Sequence, residues 1–237
     1  MSPSSAALLK RLHEQSNDQV MGRARAQFHG TNEAFLALAR QYEALAPRLK
    51  GRFLDAHGLS TDDSEASQGT TLSLAVSEHM GCFLHQMVLS HRPLRILELG
   101  SSYGVSTLYF AEALRTLGRG TVIATERDAE KCAHIRAHVE TAGLERYVDL
   151  REGDVFETVS ALDSTFDIVF MDIWASTYLA LFKRIEGRLR PGSIVIADNM
   201  YTAGDDVRPY KRYVDRHPRF SSMTLDFESG VELTVAR

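Results

Sequence analysis

The chain has 237 residues, 44% of them hydrophobic and 24% charged, which suits one α/β domain with an added helical segment and leaves no length for a second independent core. A formal net charge of −4, with basic runs no longer than Lys10-Arg11 and Arg188-Leu189-Arg190, speaks against a nucleic acid partner, because phosphate binding needs a concentrated basic surface. No apolar run approaches the ~20 residues of a membrane span and the first residues lack a signal-peptide core, so no membrane contact and a cytoplasmic location are expected.

Residues 1–18 are polar, with a weak apolar periodicity at Leu8, Leu9 and Leu12, and read as partly disordered. From Thr31 onward, Phe35, Leu38, Tyr42 and Leu45 recur at spacings of three and four, which predicts a helix with one buried face that ends at Pro47. A second helical piece carries Leu49 and Phe53, and residues 57–69, rich in Ser, Asp, Thr and Gly, read as a loop. Leu72, Val76, Met80, Phe83, Leu84 and Met87 return at helical spacing up to His91-Arg92-Pro93. The division expected is a helical cap over residues 1–69 and an α/β domain over 70–237.

Ile96, Leu97 and Leu99 form an apolar run too brief for a helix, followed by Gly100 and Gly104 and then an amphipathic segment over 108–117. That is strand, glycine loop, helix. Next come a strand over 121–126 and a helix capped by Asp128, with Cys132, Ile135 and Val139 inward and Gly143 as its stop. A third strand spans 147–152, followed by Gly153-Asp154 and a short helix around Val159 and Leu162. The fourth strand, 166–171, ends at Asp172. A helix with Tyr178, Phe182, Ile185 and Leu189 follows, broken by Pro191-Gly192. The fifth strand, 193–197, ends at Asp198-Asn199, and a helix over 206–217 leads to a hairpin of 220–227 and 231–236 turning at Ser229-Gly230. Strands alternating with helices predict a doubly wound, mostly parallel sheet closed by an antiparallel pair. Cys82 and Cys132 offer neither a C-x-x-C nor a disulfide framework; both are expected to be buried in a reducing compartment.

In such sheets ligands bind outside the carboxyl ends of the strands, so a polar residue closing an apolar strand is a site candidate. The first is Glu98 with its loop, Glu98-x-Gly100-x-x-x-Gly104. Dinucleotide sites use G-x-G-x-x-G, which this chain lacks, and an acid before the loop repels a pyrophosphate but receives an ammonium group. This stretch resembles the first motif of class I S-adenosylmethionine-dependent methyltransferases. Glu126, ending the second strand about 20 residues past the loop, stands where an acid takes ribose hydroxyls. Asp154 follows the third strand, at the adenine edge. The plainer reading of both acids is that each caps the next helix. Asp172 and Asp198-Asn199 close the fourth and fifth strands; if these are neighbours, about 4.8 Å apart, three hard-oxygen side chains converge. A divalent cation relieves the repulsion of two such carboxylates, Mg²⁺ first with Ca²⁺ or Mn²⁺ as alternatives, and the absence of His and Cys argues against zinc. The plainer reading is that the two aspartates cap loops and hydrogen-bond backbone amides.

The stretch Phe166-Asp167-Ile168-Val169-Phe170-Met171-Asp172-Ile173-Trp174, together with Tyr178 and Pro191-Gly192-Ser193-Ile194-Val195-Ile196-Ala197-Asp198-Asn199, resembles catechol O-methyltransferase and its bacterial relatives, and more loosely the caffeoyl-CoA O-methyltransferases. The resemblance runs from about Gln68 to the C-terminus. It implies a seven-stranded, Rossmann-like class I methyltransferase fold in which Asp172, Asp198 and Asn199 hold Mg²⁺. It also implies that Glu98, Gly100, Ser102, Gly104 and Ser106 surround the methionine part of S-adenosylmethionine, that Glu126 binds ribose, and that Asp154, Val155 and Trp174 lie by the adenine. One position departs: after the tryptophan the family has a lysine taken as general base, and here stands Ala175; Ile173 replaces a histidine. No catalytic base is carried over.

The activity expected is Mg²⁺-dependent methylation of a hydroxyl on a small, catechol-like acceptor. Metal-independent methylation of an amine or an isolated hydroxyl, and a non-catalytic cofactor-binding protein of the same fold, are the alternatives. Residues 1–69 and the loop after Asn199, with Tyr201, Asp205, Asp226 and Glu228, are candidates for the acceptor pocket, and His79 and His85 for assisting deprotonation, though a histidine on a mostly apolar helix face is more often structural. The helical cap is equally a candidate homodimer interface.

Overall fold

The computed structural model describes residues 1–46, 49, 53 and 75–237. The expected stop at Pro47, the loop over 57–69, Leu72 and the boundary between 69 and 70 lie outside the described residues.

The N-terminus is helical where disorder was expected. Helix α1 spans Pro3–Gln27, capped by the Ser2 side chain accepting from the Ser5 N–H, with Pro3 in the first turn where its missing N–H does no harm. Its composition is polar because only a narrow inner stripe is buried, made of Leu8, Leu9 and Leu12 with Ser5 and Ser16 beside them. A polar segment with three leucines on one face reads weakly as a helix until the surface it covers is known. Helix α2, Asn32–Glu43, starts on a Thr31 cap, and helix α3, Glu78–His91, on a Ser77 cap.

From Arg95 the chain alternates as predicted: β1 Arg95–Leu99, α4 Val105–Leu117, β2 Thr121–Glu126, α5 Ala129–Ala142, β3 Val148–Glu152, α6 Val155–Ser160, β4 Phe166–Met171, α7 Tyr178–Ile185, β5 Leu189–Ala197, α8 Arg208–Arg216, β6 Phe220–Leu225 and β7 Val231–Ala236. The seven strands form one sheet in the order β3-β2-β1-β4-β5-β7-β6, with β7 antiparallel to both its neighbours. The expected doubly wound, mostly parallel sheet is therefore present. Helices cover both faces. Ile96, Phe170, Ile194 and Ile196 point into the core beneath α1, α3, α4 and α5, while Leu97, Leu99, Val169, Met171 and Val195 point into that beneath α6, α7 and α8. Burial on both faces is why the central strands read as unbroken apolar runs rather than alternating ones.

Three expectations need correction. Helix α4 is not amphipathic: every residue from Val105 to Leu114 is buried, because α1 and α3 cover the face turned away from the sheet. Pro191-Gly192 does not end α7, which stops at Ile185; the pair sits inside β5, where pairing to β4 shifts register between Phe166↔Leu189 and Ile168↔Ile194. Leu189 thus belongs to β5, and a bulge tolerates the proline that a regular central strand would reject. Cys132 is buried, but Cys82 is exposed, since it faces outward from α3 between Gly81 and the partly buried Phe83. Among the described residues, no helix is long and apolar enough to cross a membrane.

Candidate functional site

The parallel ladder runs one or two residues past the strand ends and aligns those ends in a row. The N–H groups of Gly153, Ser101, Asp172 and Asp198 donate to the carbonyls of Glu126, Thr125, Leu99 and Met171, at 2.9 to 3.1 Å. Along this edge lie, in spatial order, Asp154, Glu126, the glycine loop, Asp172 and Asp198-Asn199. The winding reverses between β1 and β4, and that crevice is where such sheets take ligands.

Glu98 stands in the crevice with no solvent exposure. Its Oε2 accepts from Ser101 Oγ at 2.8 Å and from Thr107 Oγ1 at 2.5 Å, whereas Oε1 is buried without a partner. Burial pushes the Glu98 carboxyl above its ordinary range, against the hydroxyl donors that favour the charge. An orphaned, half-paired carboxylate in a ligand crevice suits a cationic group.

The loop beside it is held to one shape. Gly100 has φ +89°, and a Cβ there would lie 2.3 Å from the Asp172 carbonyl oxygen. Gly104 has φ +82° and precedes α4 as its N-cap without a side-chain cap, so the first-turn N–H groups of α4 lack intrahelical acceptors. Those donors favour an anionic group. An orphan carboxylate facing the start of an uncapped helix can accept both ends of an amino-acid zwitterion. We expect Gly100→Ala to lower stability by about 2–5 kcal/mol through left-handed strain and overlap with β4. Gly118→Ala, at φ +71° but in open space, should cost about 1 kcal/mol. Thermal melts of both check this; equal shifts would contradict the close approach at Gly100.

Glu126 is turned toward the same loop. Its Oε2 accepts from the Ser102 N–H at 2.9 Å, and its Oε1 from the Arg127 and Asp128 N–H groups at 2.9 and 3.0 Å. It does not cap α5; Asp128 does, accepting from Glu130 and Lys131. Ser102 adopts φ +47°, a conformation uncommon outside glycine that this bond helps to hold. Asp154 is exposed and does cap α6, through Oδ1 accepting from Phe156 and Glu157. The plainer expectation thus holds for one oxygen of Asp154. Val155 is half-buried behind it, and Trp174, the one tryptophan of the chain, is 41% exposed at the turn after β4. Ser106 is buried in the first turn of α4.

β4 and β5 are parallel neighbours with Met171 opposite Ala197, so Asp172 and Asp198 emerge side by side. Asn199 Nδ2 donates to Asp172 Oδ1 at 3.1 Å, and its Oδ1 accepts from Thr202 Oγ1 at 3.2 Å. Asp198 Oδ1 accepts from the Asn199 N–H at 2.7 Å and from Ser229 Oγ at 2.6 Å. Below the pair, the buried Tyr178 hydroxyl lies 3.0 Å from the Met171 carbonyl and 3.2 Å from that of Asp198, tying the two strand ends together. Burial raises both carboxyls; Asp198 reaches about 6, and Asp172 is pushed up further by the charges of Asp198 and Glu98. The Glu98 pocket and the aspartate pair are therefore electrostatic neighbours. Among the described residues, no group of three His, Cys, Asp or Glu side chains could hold a metal ion. The donor set here is two carboxylates and a carboxamide, all hard oxygens, which fits Mg²⁺ or Ca²⁺ rather than zinc.

The opposite wall was only faintly legible in sequence. Glu228, at φ +51° in the β6–β7 turn, lies 3.6 Å from His79 Nδ1, and the Phe83 ring packs tilted against Phe227 at 5.5 Å. His85 lies apart from this wall: its Nε2 is buried without a partner, in the electrostatic reach of Glu112.

A family described as a methyltransferase domain matches residues 97–200. Catechol O-methyltransferase B of Danio rerio is 32% identical over 171 residues, covering 69% of this chain and 62% of that protein, so the chain spans less than two thirds of that relative. Catechol O-methyltransferase of Niastella koreensis is 30% identical over 183 residues, covering 75% of this chain and 81% of that protein. Among solved structures, the S-adenosylhomocysteine-bound methyltransferase of Podospora anserina superposes with a TM-score of 0.65 over 94% of this chain and 96% of that one, at 21% identity.

Proposed function

The chain belongs to the S-adenosylmethionine-dependent O-methyltransferase family that includes the catechol O-methyltransferases, and from that premise we propose that it methylates a hydroxyl of a small molecule carrying two adjacent oxygens. The observation that carries the proposal is the adjacency of two complementary pockets. An orphan carboxylate and an uncapped helix start suit the amino-acid end of the cofactor, and an all-oxygen pair at the next strand ends suits the acceptor's cation.

In this reading Glu98 takes the ammonium group, and the first-turn amides of α4 with Ser106 take the carboxylate. Glu126, fixed by three backbone donors, keeps lone pairs for the ribose hydroxyls, and Asp154, Val155 and Trp174 border the adenine. Asp172, Asp198 and Asn199 would hold Mg²⁺, whose charge supplies acidification of the acceptor hydroxyl when it is bound. Transfer forms a carbon–oxygen bond to the methyl group and breaks its bond to sulfur, while the hydroxyl proton leaves to solvent, because Ala175 offers no base. Holding both reactants in one crevice supplies the alignment that an in-line displacement needs.

A second reading, methyl transfer without a metal, draws on one feature. Asp172 and Asp198 are already hydrogen-bonded by Asn199 and Ser229, as substrate-orienting or structural residues would be.

Cofactor binding has an internal reporter. Titration with S-adenosylhomocysteine should change the emission of Trp174, the one tryptophan, saturably and with one site per chain. Emission that stays flat while calorimetry also shows no heat would remove the cofactor from the proposal.

A further inference from the structure

The glycine loop is braced from behind by one face of α5, and the reading above gives that face no role. Lys131, His134 and His138 recur at spacings of three and four and so share a side of the helix. Each meets the same residue of the loop, Tyr103. Lys131 Nζ lies 5.7 Å from the centre of the Tyr103 ring, the His134 ring meets that ring at a tilt of 54° with centres 5.3 Å apart, and His138 Nδ1 is 3.0 Å from the Tyr103 carbonyl oxygen. His134 and His138 are themselves 5.9 Å apart, and Ile135, between them, would meet a Cβ added at Gly104 at 3.1 Å.

Only an N–H can bond a carbonyl, so this contact selects the form of His138 with a proton on Nδ1. The consequence is local and specific. The Tyr103–Gly104 peptide is held at both ends, its carbonyl by His138 and its N–H by the Ser101 carbonyl at 2.7 Å. Gly100, Ser102 and Gly104 around it all have positive φ; the glycines suit this, but Ser102 is held in a conformation its residue type disfavours. Rotation of that one peptide would re-aim Gly104 and the uncapped start of α4 behind it. We propose that His138 is a positioning residue for the cofactor, holding the Tyr103–Gly104 peptide so that the first-turn amides of α4 face the cofactor's carboxylate, with Lys131 and His134 clamping the Tyr103 ring. The N-terminal helix takes part from outside, since α1 packs on α5 and brings Arg11 into the electrostatic reach of His138.

The proposal rests on the cofactor reading above, and its test separates the two. S-adenosylhomocysteine affinity is measured by calorimetry on wild type, His138→Asn, His138→Gln and His138→Phe, with thermal melts alongside. An asparagine amide places an N–H close to the Nδ1 position, whereas a glutamine amide reaches one carbon too far. His138→Asn should bind within about twofold of wild type, while His138→Gln and His138→Phe should weaken by about tenfold, the worth of one lost hydrogen bond. In turnover the loss should appear in the KM for cofactor, with kcat at saturating cofactor within about twofold. Should the phenylalanine variant not fold, the Asn and Gln pair makes the same comparison. Equal affinity across the folded variants, or asparagine as weak as glutamine, overturns the role of His138 and leaves the cofactor reading standing. Absence of binding in the wild type overturns both.

Discussion

Replacing Glu98 with glutamine is expected to weaken S-adenosylmethionine binding by about 10- to 100-fold without weakening the fold. The carboxylate is buried, Oε2 accepts from Ser101 and Thr107, and Oε1 has no well-formed hydrogen bond, with the Ser106 hydroxyl also close to the group. A hydrogen bond to a charged group contributes about 1.5–3 kcal/mol, which sets the range of the affinity loss. In the ligand-free protein the same charge is a burden, because burial raises the Glu98 carboxyl above its ordinary range. Glutamine keeps the shape and removes the charge, so the melting temperature of the ligand-free variant should stay level or rise. Calorimetry and a thermal melt on one preparation check both halves. Unchanged affinity would show that Glu98 does not meet the ammonium group; lost affinity with a lower melting temperature would make it a structural residue.

Asp198→Ala is expected to have the largest effect on turnover and little effect on cofactor affinity. Asp198 closes β5, one strand beyond Asp172, and its side chain hydrogen-bonds to Asn199 and Ser229, neither of which is placed around the cofactor. Its loss frees Ser229 Oγ and the Asn199 N–H but also relieves the charge that raises Asp172, so the stability change should stay within about 2 kcal/mol. If a cation at these strand ends acidifies the acceptor, several kcal/mol of transition-state stabilisation go with the aspartate, on the order of 10³ in rate. Methyl transfer by the variant at wild-type rate would remove Asp198 from the reaction.

The central strands were legible in sequence because they are buried on both faces, and apolar runs such as 166–171 leave little else to be. Their closing acids were legible for the same reason: Glu126, Asp172 and Asp198 are polar residues ending apolar runs, and register alone brings the last two together. Features that depend on what lies across the chain were not. Helix α1 reads as polar because its inner face is narrow and includes Ser5 and Ser16. Helix α4 reads as amphipathic over 108–117 because Glu112, fully buried, looks like a surface residue until Ser2 is seen to bond to it. Pro191-Gly192 reads as a helix stop because a bulge in a buried strand has the same local signature as a turn. His138 carries no signal at all, since its partner is a backbone carbonyl 35 residues away.

The central claim is metal-dependent methyl transfer to a vicinal diol, and labelled methyl transfer from S-adenosylmethionine to a panel of catechols and simple phenols, with Mg²⁺ and then with chelator, tests it most directly. Turnover is expected on catechols, little on isolated phenols, and it should be lost on chelation and restored by added Mg²⁺. Turnover that survives chelation would contradict it and leave Asp172, Asp198 and Asn199 as groups that orient the acceptor without a cation.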